Sequence, residues 1–308
     1  MRTAAVFPGQ GTQYVGMGRE LADRCEDSRR VFARAGAALG MDLLALCSDG
    51  PADALRATAN TQPAILTTSL ACLAALPLEP ACAAGLSLGE YTALVCAGAL
   101  ELEDAVRLVR LRGTYMQEAC DGRETMMAVV LGLTPEQIRE ACARHAHLGV
   151  VEPSNFNSPG QVVIGGDAAA VRAALETARA LGARRALPLS VSAPFHTSLM
   201  RPAADRLASA PARVRRARIP VFVNSSASAV ESPDEIRRAL LAQVASPVLW
   251  EQSVVAMSAA GVRRFVEFGP GSTLGGMIRR TVAADVRHVE DQASLDDTSA
   301  ALASQPVA

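Results

Sequence analysis

The period of the apolar positions changes several times along the chain, and each change predicts an element. Thr3-Ala4-Ala5-Val6-Phe7 is a short apolar run of buried-strand type that stops at Pro8-Gly9-Gln10-Gly11. Helical periodicity follows over residues 16–38, 51–58 and 62–76. A second apolar run at 81–84 enters a glycine-flanked turn, after which helices are predicted over 88–98 and 102–119. Strands separated by helices predict an α/β core with a largely parallel sheet.

Beyond residue 124 the order changes. Residues 125–132 read as a strand, and Thr134 caps a helix from Pro135 to His145 with Glu136 and Gln137 in its first turn. Strands at 149–153 and 161–165 flank the turn-rich 155–160, followed by a helix over 167–181 and a strand at 185–190. The order β-α-β-β-α-β is ferredoxin-like. The predicted organisation is a large α/β domain made of residues 1–124 and 192–308, with a small ferredoxin-like domain, 125–191, inserted into it. Core strands are expected again at 221–224 and 264–268, and the tail from Ser299 is expected to fray.

Composition narrows the chemistry. The 308 residues are half hydrophobic and carry a net charge of −1, which gives no general attraction to nucleic acid or a membrane surface. Apolar runs fall short of the roughly 18 residues of a membrane span. The first ten residues read as a strand and a turn, not as a secretory signal, so a soluble cytoplasmic protein is expected. All 30 basic residues are arginine. Without lysine there is no Schiff base, no pyridoxal linkage and no P-loop ATPase chemistry. The seven scattered cysteines form no Cys-x-x-Cys pair and read as reduced structural thiols, and the four histidines are not at zinc-ligand spacing.

The turn after the second apolar run is Gly85-Leu86-Ser87-Leu88-Gly89. A serine between a strand and a helix presents its hydroxyl outward, while the flanking glycines let the backbone turn and a substrate approach. Such a serine needs a base. His196, in Ser192-Ala193-Pro194-Phe195-His196-Thr197, follows a strand in an irregular segment, whereas His145 and His147 end a surface helix and His288 lies in a late strand. At about 100° per residue, Ala105, Val109, Arg112, Met116 and Ala119 form one narrow stripe. An arginine on that buried stripe either packs its stem toward water or an internal carboxylate, or waits for an anionic ligand. Gln10 sits in the loop after the first strand, a place from which an oxyanion donor can come, though a tight turn alone would explain it.

Together these residues resemble the malonyl-CoA:acyl carrier protein transacylases of fatty acid and polyketide synthesis. The resemblance runs through Phe7-Pro8-Gly9-Gln10-Gly11, Thr61-Gln62-Pro63-Ala64, the Ser87 turn with Glu90-Tyr91, and Arg110-Leu111-Arg112-Gly113. It continues through Asn155-Phe156-Asn157-Ser158-Pro159-Gly160, Ala193-Pro194-Phe195-His196, Ser246-Pro247-Val248-Leu249-Trp250 and Glu267-Phe268-Gly269-Pro270-Gly271. It implies a hydrolase-like large domain, Ser87 as the acylated nucleophile and His196 as its base. The oxyanion donors would be the backbone amides of Gln10 and Leu88, and Arg112 would hold the malonyl carboxylate. Gln62, Asn157 and Phe195 would belong to the substrate pocket. A main-chain carbonyl in the Pro247–Trp250 region would orient the histidine.

The resemblance further implies malonyl-CoA as substrate, no bound cofactor or metal, a holo acyl carrier protein as partner and a monomeric enzyme. Phe195 before His196 matches the malonyl-selective version of that motif. Leu86 departs from the many members with His before the nucleophile, as some plant plastid relatives also do. Carrier proteins are acidic, so Arg213–Arg218 and Arg279-Arg280 are candidate docking residues. The rival reading is a serine acyl hydrolase or esterase, whose order of triad residues would use the late His288. A third reading is a non-catalytic module that binds carrier protein.

Overall fold

The computed structural model describes residues 1–76, 78–189, 191 and 193–304. The apolar runs become strands buried on both faces. β1 (Thr3–Phe7) and β2 (Cys82–Gly85) have no exposed position, as expected for a parallel sheet covered by helices on each side. With β7 (Val221–Phe222), β8 (Ala229–Val230), β10 (Arg264–Phe268) and β11 (Asp285–Val289) they form a sheet of order β11-β10-β1-β2-β7-β8. Every pairing is parallel except the β7–β8 hairpin. Phe7 lies opposite Gly85, so the loops that follow β1 and β2 emerge side by side at the carboxyl ends of two central strands. That is where open α/β sheets present their ligands.

The second sheet holds β3 (Thr125–Leu131), β4 (Val151–Ser158), β5 (Gln161–Asp167) and β6 (Arg185–Leu189) in the order β6-β3-β5-β4, all antiparallel. This is the ferredoxin-like order expected from the sequence. The helices Pro135–Ala143 and Ala168–Ala180 bury Ile138, Cys142, Val171 and Leu175 against it. Thr134 and Gln137 complete a capping box at the head of the first of these helices. A fifth strand, β9 (Val248–Leu249), joins this sheet parallel to β4 although it lies much later in the chain.

Several boundaries differ from the sequence reading. The single helix expected over 16–38 is two, Arg19–Arg24 and Glu26–Leu39, because Cys25 is extended with φ −119°. Leu43–Asp49 is an unanticipated helix, capped by the Asp42 carboxylate on the Ala45 amide. Asn155–Ser158, read as part of a turn, belongs to β4. Only Pro159 and Gly160 separate it from β5, with Gly160 at φ 68°. The tail does not fray at Ser299. The helix Gln292–Ala303 is held by an Asp291–Ser294 capping box and by the Thr298 hydroxyl donating to the His288 carbonyl. Residue 190 of the expected sixth strand, the boundary at Ser192 and the tail residues 305–308 lie outside the described residues.

The seven cysteines carry free thiols. Burial pushes Cys47, Cys96 and Cys142 up to about 12 and Cys82 up to about 11, which keeps them as unreactive thiols. Among the described residues, no single helix is long and apolar enough to cross a membrane.

Candidate active site

Ser87 closes the turn between β2 and the helix Leu88–Cys96 at φ 53° and ψ −103°. A side chain bears this conformation only at a cost of about 1–3 kcal/mol, and only where its surroundings enforce it. The glycines are needed for close approach. A Cβ on Gly85 would lie 2.0 Å from the Gly89 carbonyl carbon, and one on Gly89 would lie 2.0 Å from the Phe7 carbonyl oxygen. The turn is thus wedged against the end of β1, and its Leu86 amide donates to the Phe7 carbonyl at 3.0 Å.

The Ser87 hydroxyl meets His196 Nε2 at 2.6 Å. The Nδ1 of the same ring lies 2.8 Å from the Gln243 backbone carbonyl. A carbonyl only accepts, so Nδ1 carries the proton and Nε2 is left to accept from the serine. Burial, and then the charge of Arg112, push the imidazole down to about 3 against the pull of the Gln243 and Ser246 backbone. The histidine is therefore held neutral, with the Nε2 lone pair directed at the serine hydroxyl.

The orienting carbonyl is not in the Pro247–Trp250 stretch expected from the resemblance. The helix Pro233–Val244 ends beside the histidine, and the last carbonyls of a helix have no partner within it. Gln243, its penultimate residue, supplies the free acceptor. In β9, by contrast, the Leu249 carbonyl already accepts from the Ser253 hydroxyl at 2.8 Å and the strand is paired with β4.

Arg112 occupies the buried stripe of the helix Leu102–Glu118, together with Ala105, Val109 and Met116. Its guanidinium donates to Gln62 Oε1 at 3.0 Å, Gln243 Oε1 at 3.0 Å and Ser87 Oγ at 3.1 Å, and lies 5.4 Å from the centre of the Tyr91 ring. All three acceptors are uncharged. A cation buried to 2% exposure is thus held by neutral oxygens, the Ser87 hydroxyl among them, an arrangement chemically able to receive an anion.

Gln10, Gln62, Ser87, Leu88, Arg112, Asn157, Phe195 and His196 all border one cavity of about 200 Å³. The Gln10 loop touches the serine turn so closely that a Cβ on Gly9 would sit 2.6 Å from the Leu86 carbonyl oxygen. The Ser87 amide is spent on Asn224 Oδ1 at 2.6 Å, which removes it as an oxyanion donor. Among the described residues, the amides of Gln10 and Leu88 take no part in the hydrogen bonds that hold the two turns. The buried Asn157 Oδ1 has no hydrogen-bond partner among the described residues.

The family model described as "Acyl transferase domain" matches residues 5–299. The chain belongs to the acyl transferase family. Against the malonyl CoA-acyl carrier protein transacylase of Escherichia coli K12, this acyltransferase is 47% identical over 285 residues, covering 91% of this chain and 92% of that one. It is similar to a solved acyl carrier protein S-malonyltransferase from Vibrio cholerae, with TM-score 0.94, 45% identity and coverage of 97% and 100%. A malonyl-transacylase solved with a holo type II polyketide acyl-carrier protein superposes with TM-score 0.93 at 43% identity, covering 96% of this chain and 98% of that one.

Around this acyltransferase site the sequence reading missed Gln243, Asn224 and Glu90. Gln243 was recoverable. Ile236, Ala239, Leu240, Gln243 and Val244 share one buried helical face, so the phase argument that picked out Arg112 picks out Gln243 too. His288 lies on the edge strand β11, three strands away from β2, and faces Glu290 instead of the serine. Of the two arginine clusters, Arg215 and Arg216 are paired with Glu101 and Glu231 at the far end of the helix that Ser87 begins. Arg279 and Arg280 end the helix Thr273–Thr281, whose first turns border the cavity.

Proposed function

We propose that this acyltransferase moves a malonyl group from CoA to the phosphopantetheine thiol of a holo acyl carrier protein through a malonyl-Ser87 ester. The observation that carries the reading is the convergence of His196 Nε2 and Arg112 Nη2 on one oxygen, Ser87 Oγ. A neutral base and a cation whose hydrogen-bond acceptors are all neutral, meeting at a single nucleophile, fit an acyl group that itself ends in a carboxylate.

His196 takes the Ser87 proton as Oγ attacks the thioester carbonyl. The amides of Gln10 and Leu88 donate to the resulting oxyanion, each worth about 3 kcal/mol at the barrier. The tetrahedral intermediate collapses, the carbon–sulfur bond breaks, and the CoA thiolate leaves with the proton from His196. The carrier's thiol then gives its proton to His196 and attacks the ester carbonyl; the Oγ–acyl bond breaks and His196 returns the proton to Ser87 Oγ. In the acyl-enzyme the malonyl carboxylate takes the place that Ser87 Oγ holds on Arg112, while the guanidinium keeps donating to Gln62 and Gln243. Phe195 closes the pocket on the side of the acyl carbon, and the Asn157 amide supplies a further polar contact. Nucleophile, base and cation all come from the chain, so the proposal includes no bound cofactor, and the enzyme would work on soluble thioesters in the cytoplasm. Arg279 and Arg280 are proposed to meet the acidic carrier protein.

Intact-mass measurement tests the scheme. Mixing with malonyl-CoA is expected to add one malonyl group to the chain, absent in Ser87→Ala, which then appears on added holo carrier protein. Release of free malonate with no labelled carrier would establish an acyl hydrolase instead, and no adduct would leave only a binding module.

A further inference from the structure

One residue, Asn224, ties the strained turn on both sides of the positive φ, beside the Gln243 side chain that donates to the Ser87 carbonyl at 2.9 Å. β7 runs parallel to β2 with Phe222 opposite Ala84, so two residues later Asn224 arrives level with the serine turn. It is completely buried and uses every polar atom it has. Oδ1 accepts the Ser87 amide at 2.6 Å, and Nδ2 donates to the Gly85 carbonyl at 2.8 Å. Its own amide donates to Glu90 Oε2 at 2.6 Å, and its carbonyl accepts from Leu249 at 2.9 Å. The carboxamide therefore bridges the residue that ends β2 and the nucleophile itself, across the point where φ becomes positive.

Glu90 lies one turn beyond Ser87 on the helix that the serine starts. It is fully buried, and burial pushes its acid up to about 7 against the pull of the Asn224 amide, the Gln243 side chain and the Arg112 charge. Burying a carboxyl group is costly unless it has partners. Here the partner is the backbone of the residue that clamps the nucleophile.

We propose that Asn224, braced by Glu90, is a positioning residue for acyl transfer: its carboxamide enforces the Ser87 conformation that aims Oγ at His196 and takes up the serine amide, leaving the amides of Gln10 and Leu88 to the oxyanion. The proposal rests on the transacylase reading for its kinetic consequences, but not for its structural ones.

The test combines kinetics with stability. Asn224→Ala is expected to lower kcat for malonyl transfer between about 10- and 100-fold with little change in KM for malonyl-CoA, because the nucleophile is misplaced while the pocket is kept. Glu90→Leu should follow it. Glu90→Gln, whose amide oxygen can accept the same N–H, should recover most of that loss. A structural role alone would not produce the second readout. Glycine adopts φ 53° without strain, so in the inactive Ser87→Gly background Asn224→Ala should lower the thermal midpoint less than it does beside Ser87. Should Asn224→Ala fail to fold, the isosteric Asn224→Asp, which loses the donor to Gly85, carries the same comparison.

Wild-type kcat in a folded Asn224 variant overturns the proposal, and so do equal thermal losses in the two backgrounds. If wild-type protein neither takes up nor passes on malonyl, the transacylase reading falls. The thermal comparison involves no substrate and still decides the role of Asn224.

Discussion

Arg112 donates to the hydroxyl of Ser87 at 3.1 Å while, among the described residues, no carboxylate answers its charge through a hydrogen bond. Its fork is held in place by Gln62 and Gln243, so the guanidinium is organised before any ligand arrives. A buried cation in that state favours an anionic acyl group over a neutral one by the cost of leaving the charge unanswered.

Arg112→Ala is expected to collapse the preference for malonyl-CoA over acetyl-CoA, by about 100-fold or more in relative kcat/KM. Arg112→Lys should recover little of it, since an ammonium cannot form the two-pronged contact. The check is Ser87 acylation by each thioester; an unchanged preference would remove Arg112 from the carboxylate site.

Gln243 has two separable parts. Its backbone carbonyl orients His196, whereas its side chain holds Arg112 and the Ser87 carbonyl at 2.9 Å. Gln243→Ala keeps the first and loses the second. It should weaken malonyl selectivity through a higher KM while His196 stays competent, and acetyl transfer should change far less than malonyl transfer.

The pH dependence follows from the depressed histidine. Because His196 stays neutral down to about 3, the acylation rate should show no fall near the ordinary imidazole value of about 6.5. Rapid-quench acylation between pH 5 and 8 measures this, and an inflection near 6.5 would mean that the base is solvated and unshifted.

Glu267 accepts from the Leu274 and Gly275 amides at the head of the cavity-lining helix, yet burial pushes it up to about 7. A carboxyl group raised in the fold contributes stability fully below its unfolded value of about 4.3 and loses it as pH rises through 7. His196 runs the other way, with its contribution lost as pH falls from about 6.5 toward 3. Glu267→Gln removes one falling component. Between pH 5 and 6.5 the variant's stability should therefore rise with pH more steeply than that of wild type, by up to about 1.4 kcal/mol per pH unit. Unfolding midpoints across that range give the slope.

Charge reversal at Arg280 should raise KM for the carrier protein and leave acylation by malonyl-CoA unaffected. Reversal at Arg215, which pairs with Glu101, should leave the carrier KM where it was. Steady-state titrations with carrier protein separate the two surfaces.

What could be read in the sequence was whatever the chain states locally. The Ser87 turn, the helical phase of Arg112 and the β-α-β-β-α-β order each lie within one stretch, where periodicity and turn chemistry are expressed directly. What could not be read depends on partners far away in the chain. Asn224 is one polar residue after a short strand, and its importance arises only when β7 settles beside β2. The orienting carbonyl was misplaced because every residue has one, and only helix termination frees the one at Gln243. Asn155–Ser158 looked like a loop because Asn and Ser crowd there, yet pairing with β5 overrides that preference.

The two-residue strand β9 joins Val248 and Leu249 to Asn155 and Phe156, while the Leu249 amide holds Asn224. The same short segment thus touches the wall of the cavity on one side and the support of the nucleophile on the other. Prising the two sheets apart would break this seam and release the serine turn at the same stroke. The wall of the cavity and the support of the serine turn are therefore tied together through one two-residue strand, so a change in either is felt by the other.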